Sequence, residues 1–97
     1  MANQIRMTPE TMRMRSNQAH QQAEAMQNLG DTMERLLSTL QSEWEGEAMR
    51  GYEDRFSKIR PVLKNAKELL DEISHNLKET ARIVEETDRN IASQFRK

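Results

Sequence analysis

The chain has 97 residues, enough for one domain. Only 35% of them are hydrophobic and 32% are charged, so a single copy builds a thin core and association with other helices is the expected remedy. A net charge of −1 excludes a strong overall field for nucleic acid, the lack of cysteine excludes disulfide and thiolate chemistry, and no apolar run approaches a membrane span.

The first element announces its own start. Thr8 can accept an orphan backbone N–H as an N-cap, Pro9 suits the first helical position, and Glu10 faces the positive end of the helix dipole. Met7 and Met12 flank this cap at the spacing of a hydrophobic staple. From there Met12, Ala19, Met26, Met33 and Leu40 recur every seven residues, and Ser16, Ala23, Gly30 and Leu37 follow the first four by four residues. All are apolar or small, which predicts one helical stripe of the antiparallel-bundle kind. The small members predict close approach of a partner backbone, with Gly30 as a tolerated close-contact site that costs up to about 1 kcal/mol of helix propensity relative to Ala.

Trp44, Glu45, Gly46 and Glu47 interrupt the pattern. A short connection between long helices makes them antiparallel neighbours, and Gly46 supplies the backbone freedom of the turn. Leu40 to Trp44 is one further step of four along the first stripe.

The second element repeats the device. Phe56, Leu63, Leu70, Leu77, Val84 and Ile91 are spaced by seven, and Tyr52, Ile59, Ala66, Ile73 and Thr80 precede the first five by four. Pro61 lies within this stripe and removes one backbone hydrogen bond. The seven-residue phase continues through it, which predicts a bent single helix, with a break into two helices as the alternative. Pairs such as Asp54 with Lys58 and Glu85 with Arg89 are placed to support the exposed faces.

Residues 50–67 carry six basic side chains against Glu53 and Asp54, while 68–88 carry seven acidic ones against Lys78 and Arg82. This is either a pair of solvated faces or a complementary pattern in which two such helices, laid antiparallel, place basic halves on acidic halves. The expected architecture is all-α: a single helical-hairpin domain over 1–97, with a helix over about 9–42, a turn at 43–47, a helix over about 48–93 and flexible ends. A two-helix hairpin cannot hide both stripes, so two hairpins are expected to dimerise into an elongated four-helix bundle. Met12, Ala19, Ala23, Met26, Gly30, Met33, Leu37, Leu40, Phe56, Ile59, Leu63, Leu70, Ile73 and Leu77 are the candidate packing residues.

A Trp44-Glu45-Gly46 triplet at the bend of a hairpin of this length resembles the WXG family of type VII secretion substrates. The opening Ile5-Arg6-Met7-Thr8-Pro9-Glu10 resembles the start of its Gram-positive, EsxA-like members. Val84, Asp88, Ile91 and Phe95 also fit the C-terminal pattern of those members, a hydrophobic residue followed at offsets of 4, 7 and 11 by an acid and two hydrophobic residues. These offsets share one helical face, and they can equally continue the core stripe into a frayed end. The mycobacterial variant, Tyr followed by three residues and an acid, is absent from this tail.

The resemblance implies a bipartite export signal. Trp44 and Gly46 at one subunit's bend lie near Val84, Asp88, Ile91 and Phe95 on the other subunit's tail, and a secretion-system ATPase reads the composite. It also implies a homodimer, or pairing with a related WXG protein. The product would be made in the cytoplasm and secreted without a cleavable signal peptide, then free or associated with the cell surface. Residues Met1 to Glu10 hold no apolar signal stretch, which fits that route.

No acid, base and nucleophile constellation points to an enzyme, and no cofactor or metal is expected. His20 and His75 stand apart from clustered acids at ligand spacing and are read as solvent-facing imidazoles. The seven methionines are read mainly as bundle packing. Two other functional classes compete: an intracellular adaptor or escort for another helical chain, and a membrane-active helix pair. The second ranks last, because the apolar stripes are needed for the bundle and stable membrane insertion is not expected.

Overall fold

The computed structural model describes residues 7–95, apart from the side chain of Phe95. Two helices, α1 (Pro9–Glu43) and α2 (Glu47–Phe95), form an antiparallel hairpin. At about 1.5 Å per residue, the 49 residues of α2 account for most of the 78 Å long axis of a molecule only 28 by 14 Å across.

The start of α1 follows from its cap. Thr8 is extended (φ −76°, ψ 161°), and its hydroxyl accepts the Thr11 N–H at 3.1 Å. At the far end Trp44 leaves the helix with an extended backbone, its N–H donating to the Leu40 carbonyl at 2.8 Å. The bend then needs one unusual conformation, at Gly46 (φ +140°), where an L side chain is strained. A Cβ there would meet nothing within 4 Å, so backbone strain rather than space selects glycine.

Helix α2 runs through Pro61 without interruption. Pro61 is exposed, so the Ser57 carbonyl it leaves without a helical donor can turn to water.

The inner face of α1 carries both rows expected of it: Met12, Ser16, Ala19 and Ala23 are buried, and Met26, Gly30, Met33, Leu37 and Leu40 are half-buried. On α2 the row through Phe56, Leu63, Leu70, Leu77 and Val84 faces inward, joined upstream by buried Met49. Its second inner row differs from the expected one. Ser74 and Ala81 are buried, whereas Tyr52, Ile59 and Ile73 stand outside at 41–47% exposure. At Ser74 the reason lies opposite: α1 presents Ser16 there, and small residues meeting small residues seal that part of the hairpin, while Tyr52 and Ile59 lie toward the bend beside Met33, Leu37 and Leu40. The Ser16 hydroxyl donates to the Ser74 carbonyl at 2.7 Å and lies 3.0 Å from the Ser74 hydroxyl, so burying these two polar groups leaves neither unsatisfied.

Three expected details are corrected. Glu85 turns across the hairpin to Arg13 of α1 rather than along α2 to Arg89, because the α1 guanidinium lies within reach. Asp54 and Lys58 do not pair among the described residues. A Cβ on Gly30 would sit 3.8 Å from Leu63 Cδ1, an ordinary contact, so the hairpin itself does not demand glycine there.

Candidate functional site

The hairpin has two unlike long faces. On one, ionic contacts cross from helix to helix: Arg60 Nε to Glu34 at 2.7 Å, and the Arg13–Glu85 pair. Arg60 also lies over the Phe56 ring, 4.8 Å from its centroid. His20 belongs to this face. It is exposed, as expected, but two acids flank it: Glu24 on its own helix at 2.8 Å from Nε2, and Asp71 of α2 at 3.9 Å from Nδ1. The sequence separates His20 from Asp71 by most of the hairpin, so only the fold brings them together. Lys67 completes the cluster, 2.8 Å from Asp71. That hydrogen bond and the Asp71 charge hold the Lys67 ammonium above the ordinary lysine value of 10.5.

The other long face is apolar. Tyr52, Ile59 and Ile73 form one seven-residue row on α2, Val62, Leu69 and Ile83 form the next, and all six are exposed. Leu29 and Leu36 of α1, also exposed and seven apart, lie toward the bend. There, Met33, Leu36, Leu37 and Leu40 of α1 and Tyr52, Phe56 and Ile59 of α2 line an open groove of about 250 Å³. Arg55 is its one charged wall. Exposed apolar surface this continuous is unusual for a small monomer and marks a surface that meets another molecule.

The bend holds Trp44, 43% exposed, with its ring centroid 5.8 Å from that of Tyr52 and the planes tilted by 57°. At the opposite end, α2 is 14 residues longer than α1 (49 against 35), about 21 Å of helix that projects past the start of α1. Val84 is half-buried near the base of this projection, and Asp88 and Ile91 are exposed along it. The Phe95 side chain lies outside the described residues, as do Ile5 and Arg6 of the opening hexapeptide. Within one chain the two ends stand a hairpin's length apart, so the structure does not bring Trp44 and Gly46 together with the tail residues.

The sequence reading missed buried Met49, Ser74 and Ala81. Met49 was legible, being seven residues before Phe56. Ser74 and Ala81 were not, because small residues carry no apolar signal of their own.

A family model described as proteins of 100 residues with WXG matches residues 4–89. The chain belongs to this family. The WXG assignment is supported along the whole length: Protein YukE of Bacillus subtilis (strain 168) is 33% identical over 96 residues, covering 99% of both chains. The Type VII secretion system extracellular protein A of Staphylococcus aureus (strain USA300) is 29% identical over 91 residues, 94% of each chain. Among solved structures, Geobacillus thermodenitrificans EsxA, crystal form I, superposes with a TM-score of 0.88 at 32% identity, covering 95% of this chain and 99% of that one. The bend triplet that gives the WXG family its name is Trp44-Glu45-Gly46 here, and no helix among the described residues is long and apolar enough to cross a membrane.

Proposed function

We propose that this WXG protein is a secreted substrate of a type VII secretion system, exported folded as an antiparallel homodimer without a cleavable signal peptide, and acting as an effector or secretion companion rather than as an enzyme. The observation that carries the proposal is the contrast of faces. One long face is closed by cross-helix ion pairs, and the other leaves Leu36, Tyr52 and Ile59 open along a groove. A second copy of the same face is the simplest cover.

Charge favours the antiparallel order. Lys58, Glu72, Glu79 and Glu86 share one seven-residue row beside the exposed Val62, Leu69 and Ile83 row. Two α2 helices laid antiparallel set the basic end of each against the acidic end of the other, whereas a parallel pair sets like on like.

The same order supports the bipartite signal. It carries the projecting tail of one subunit, with Val84, Asp88, Ile91 and Phe95, toward the Trp44–Gly46 bend of the other. The proposed reader of that composite is the secretion-system ATPase: Trp44 supplies an aromatic anchor, Asp88 a charge, and Ile91 and Phe95 the apolar contacts. A related WXG protein is the alternative partner for the face. The extracellular name of the Staphylococcus relative supports secretion as the destination.

The test is export from secretion-competent cells. A chain lacking residues 84–97, and separately Trp44→Ala, should remain in the cell while the intact chain reaches the culture supernatant. Undiminished export of the truncated chain would overturn the signal. Retention of the intact chain in the cytosol would favour the adaptor reading.

A further inference from the structure

The chain contains one tryptophan and one tyrosine, and they touch. Tyr52 has two neighbours of different kinds. One side of it lines the apolar groove with Leu36, Leu40 and Ile59, and its ring meets Trp44 at 5.8 Å. Trp44 itself has left α1, sits on extended backbone, and makes no side-chain hydrogen bond among the described residues. The indole borders Gln41, Met49 and Arg50 at the bend, and Tyr52 is the aromatic ring that meets it.

We propose that Tyr52 is a positioning residue that couples occupancy of the apolar face to the pose of Trp44. Tilted ring pairs have a preferred geometry, so fixing one ring biases the other. In the lone hairpin Tyr52 is 47% exposed, and an exposed ring has more than one rotamer open to it. Apolar side chains of a second copy, seated in the groove beside it, remove that freedom and hold the ring against the indole. Assembly thereby selects one presentation of Trp44 at the bend, a population shift driven by the partner's preference for one Tyr52 rotamer. The coupling rests on the proposed homodimer and adds a consequence to it: an unassembled chain displays its bend tryptophan in many poses, an assembled one in one.

The lone Trp and Tyr make the test spectroscopic. Sedimentation equilibrium of the full chain gives the mass at each concentration, while Trp44 emission is read on the same samples. The expected result is a shift of Trp44 emission that follows the appearance of the dimer. Tyr52→Phe keeps the ring and should keep the emission shift. Tyr52→Leu keeps the groove apolar, so the dimer mass should persist while the emission shift shrinks to what the partner's tail contributes at the bend.

A dimer that forms in the native chain with no change at Trp44 overturns the coupling and leaves the dimer standing. A Tyr52→Leu dimer with the full emission shift also overturns it, because the partner's tail at the bend would then account for the whole shift. If Tyr52→Leu does not dimerise, the native chain and Tyr52→Phe decide alone: loss of the shift in the Phe variant, whose dimer persists, contradicts a role for the ring. A native chain of single mass at every concentration overturns the dimer and the coupling with it.

Discussion

At the scale of single residues, a glycine inside α1 and the glycine of the bend obey different rules. Gly30 sits inside α1 with room for a methyl group, 3.8 Å from Leu63 Cδ1. Gly30→Ala should therefore raise stability by up to about 1 kcal/mol through helix propensity, read as a higher urea midpoint at unchanged m-value. Gly46 adopts φ +140°, and Gly46→Ala should cost about 1–3 kcal/mol although nothing crowds its Cβ. The buried Ser16–Ser74 contact gives a third case. Ser16→Ala removes the donor to the Ser74 carbonyl and should cost about 1 kcal/mol in the same measurement. On the ionic face, Lys67 is held above the ordinary lysine value of 10.5 by Asp71, which favours its charged form in the folded chain. This contribution is fully present below that value and is lost as pH rises through the folded one. Asp71→Asn should bring the Lys67 titration, followed by NMR at Nζ, back toward the ordinary value.

At the scale of the element, α2 carries more apolar surface than α1 can cover. Its period is legible from the seven-residue spacing of Phe56, Leu63, Leu70, Leu77 and Val84, and so are the cap at Thr8 and the bend at Gly46. Which flank of that row turns inward is not legible. Tyr52, Ile59 and Ile73 on one flank look more like a core than Ser74 and Ala81 on the other. At Ser74 the choice is made by α1, whose buried Ser16 leaves room only for a small neighbour and a hydrogen bond. Long-range ionic partners such as Arg13 and Glu85 are hidden for the same reason: periodicity describes each helix alone. The candidate export residues were found by resemblance, and the physical pattern contributes only their common face. Pro61 adds an element-scale prediction. Because α2 passes through it, Pro61→Ala restores a helical N–H to the Ser57 carbonyl and should stabilise the chain, by up to about 3 kcal/mol. A helix broken at 61 would instead gain little, and denaturation with far-UV circular dichroism separates the two.

At the scale of the whole molecule, a slender body 78 Å long keeps only a short core and leaves one long face apolar. Sealed small-residue packing near Ser16 and Ser74 contrasts with the half-buried Met33, Leu37, Leu40 and Leu63 toward the bend. A partner therefore has most to gain at the bend half, beside Trp44. If opposed charge on α2 orders two copies antiparallel, raising salt should weaken the dimer by screening, with apolar burial left to hold it. The proposed export signal depends on that assembly, since within one chain the bend and the projecting tail are far apart. The most direct measurement is multi-angle light scattering of the purified full chain alone. Two copies of the 11.4 kDa chain in one particle are predicted; a folded particle of a single 11.4 kDa mass across the concentration range would contradict the covered face on which the account rests.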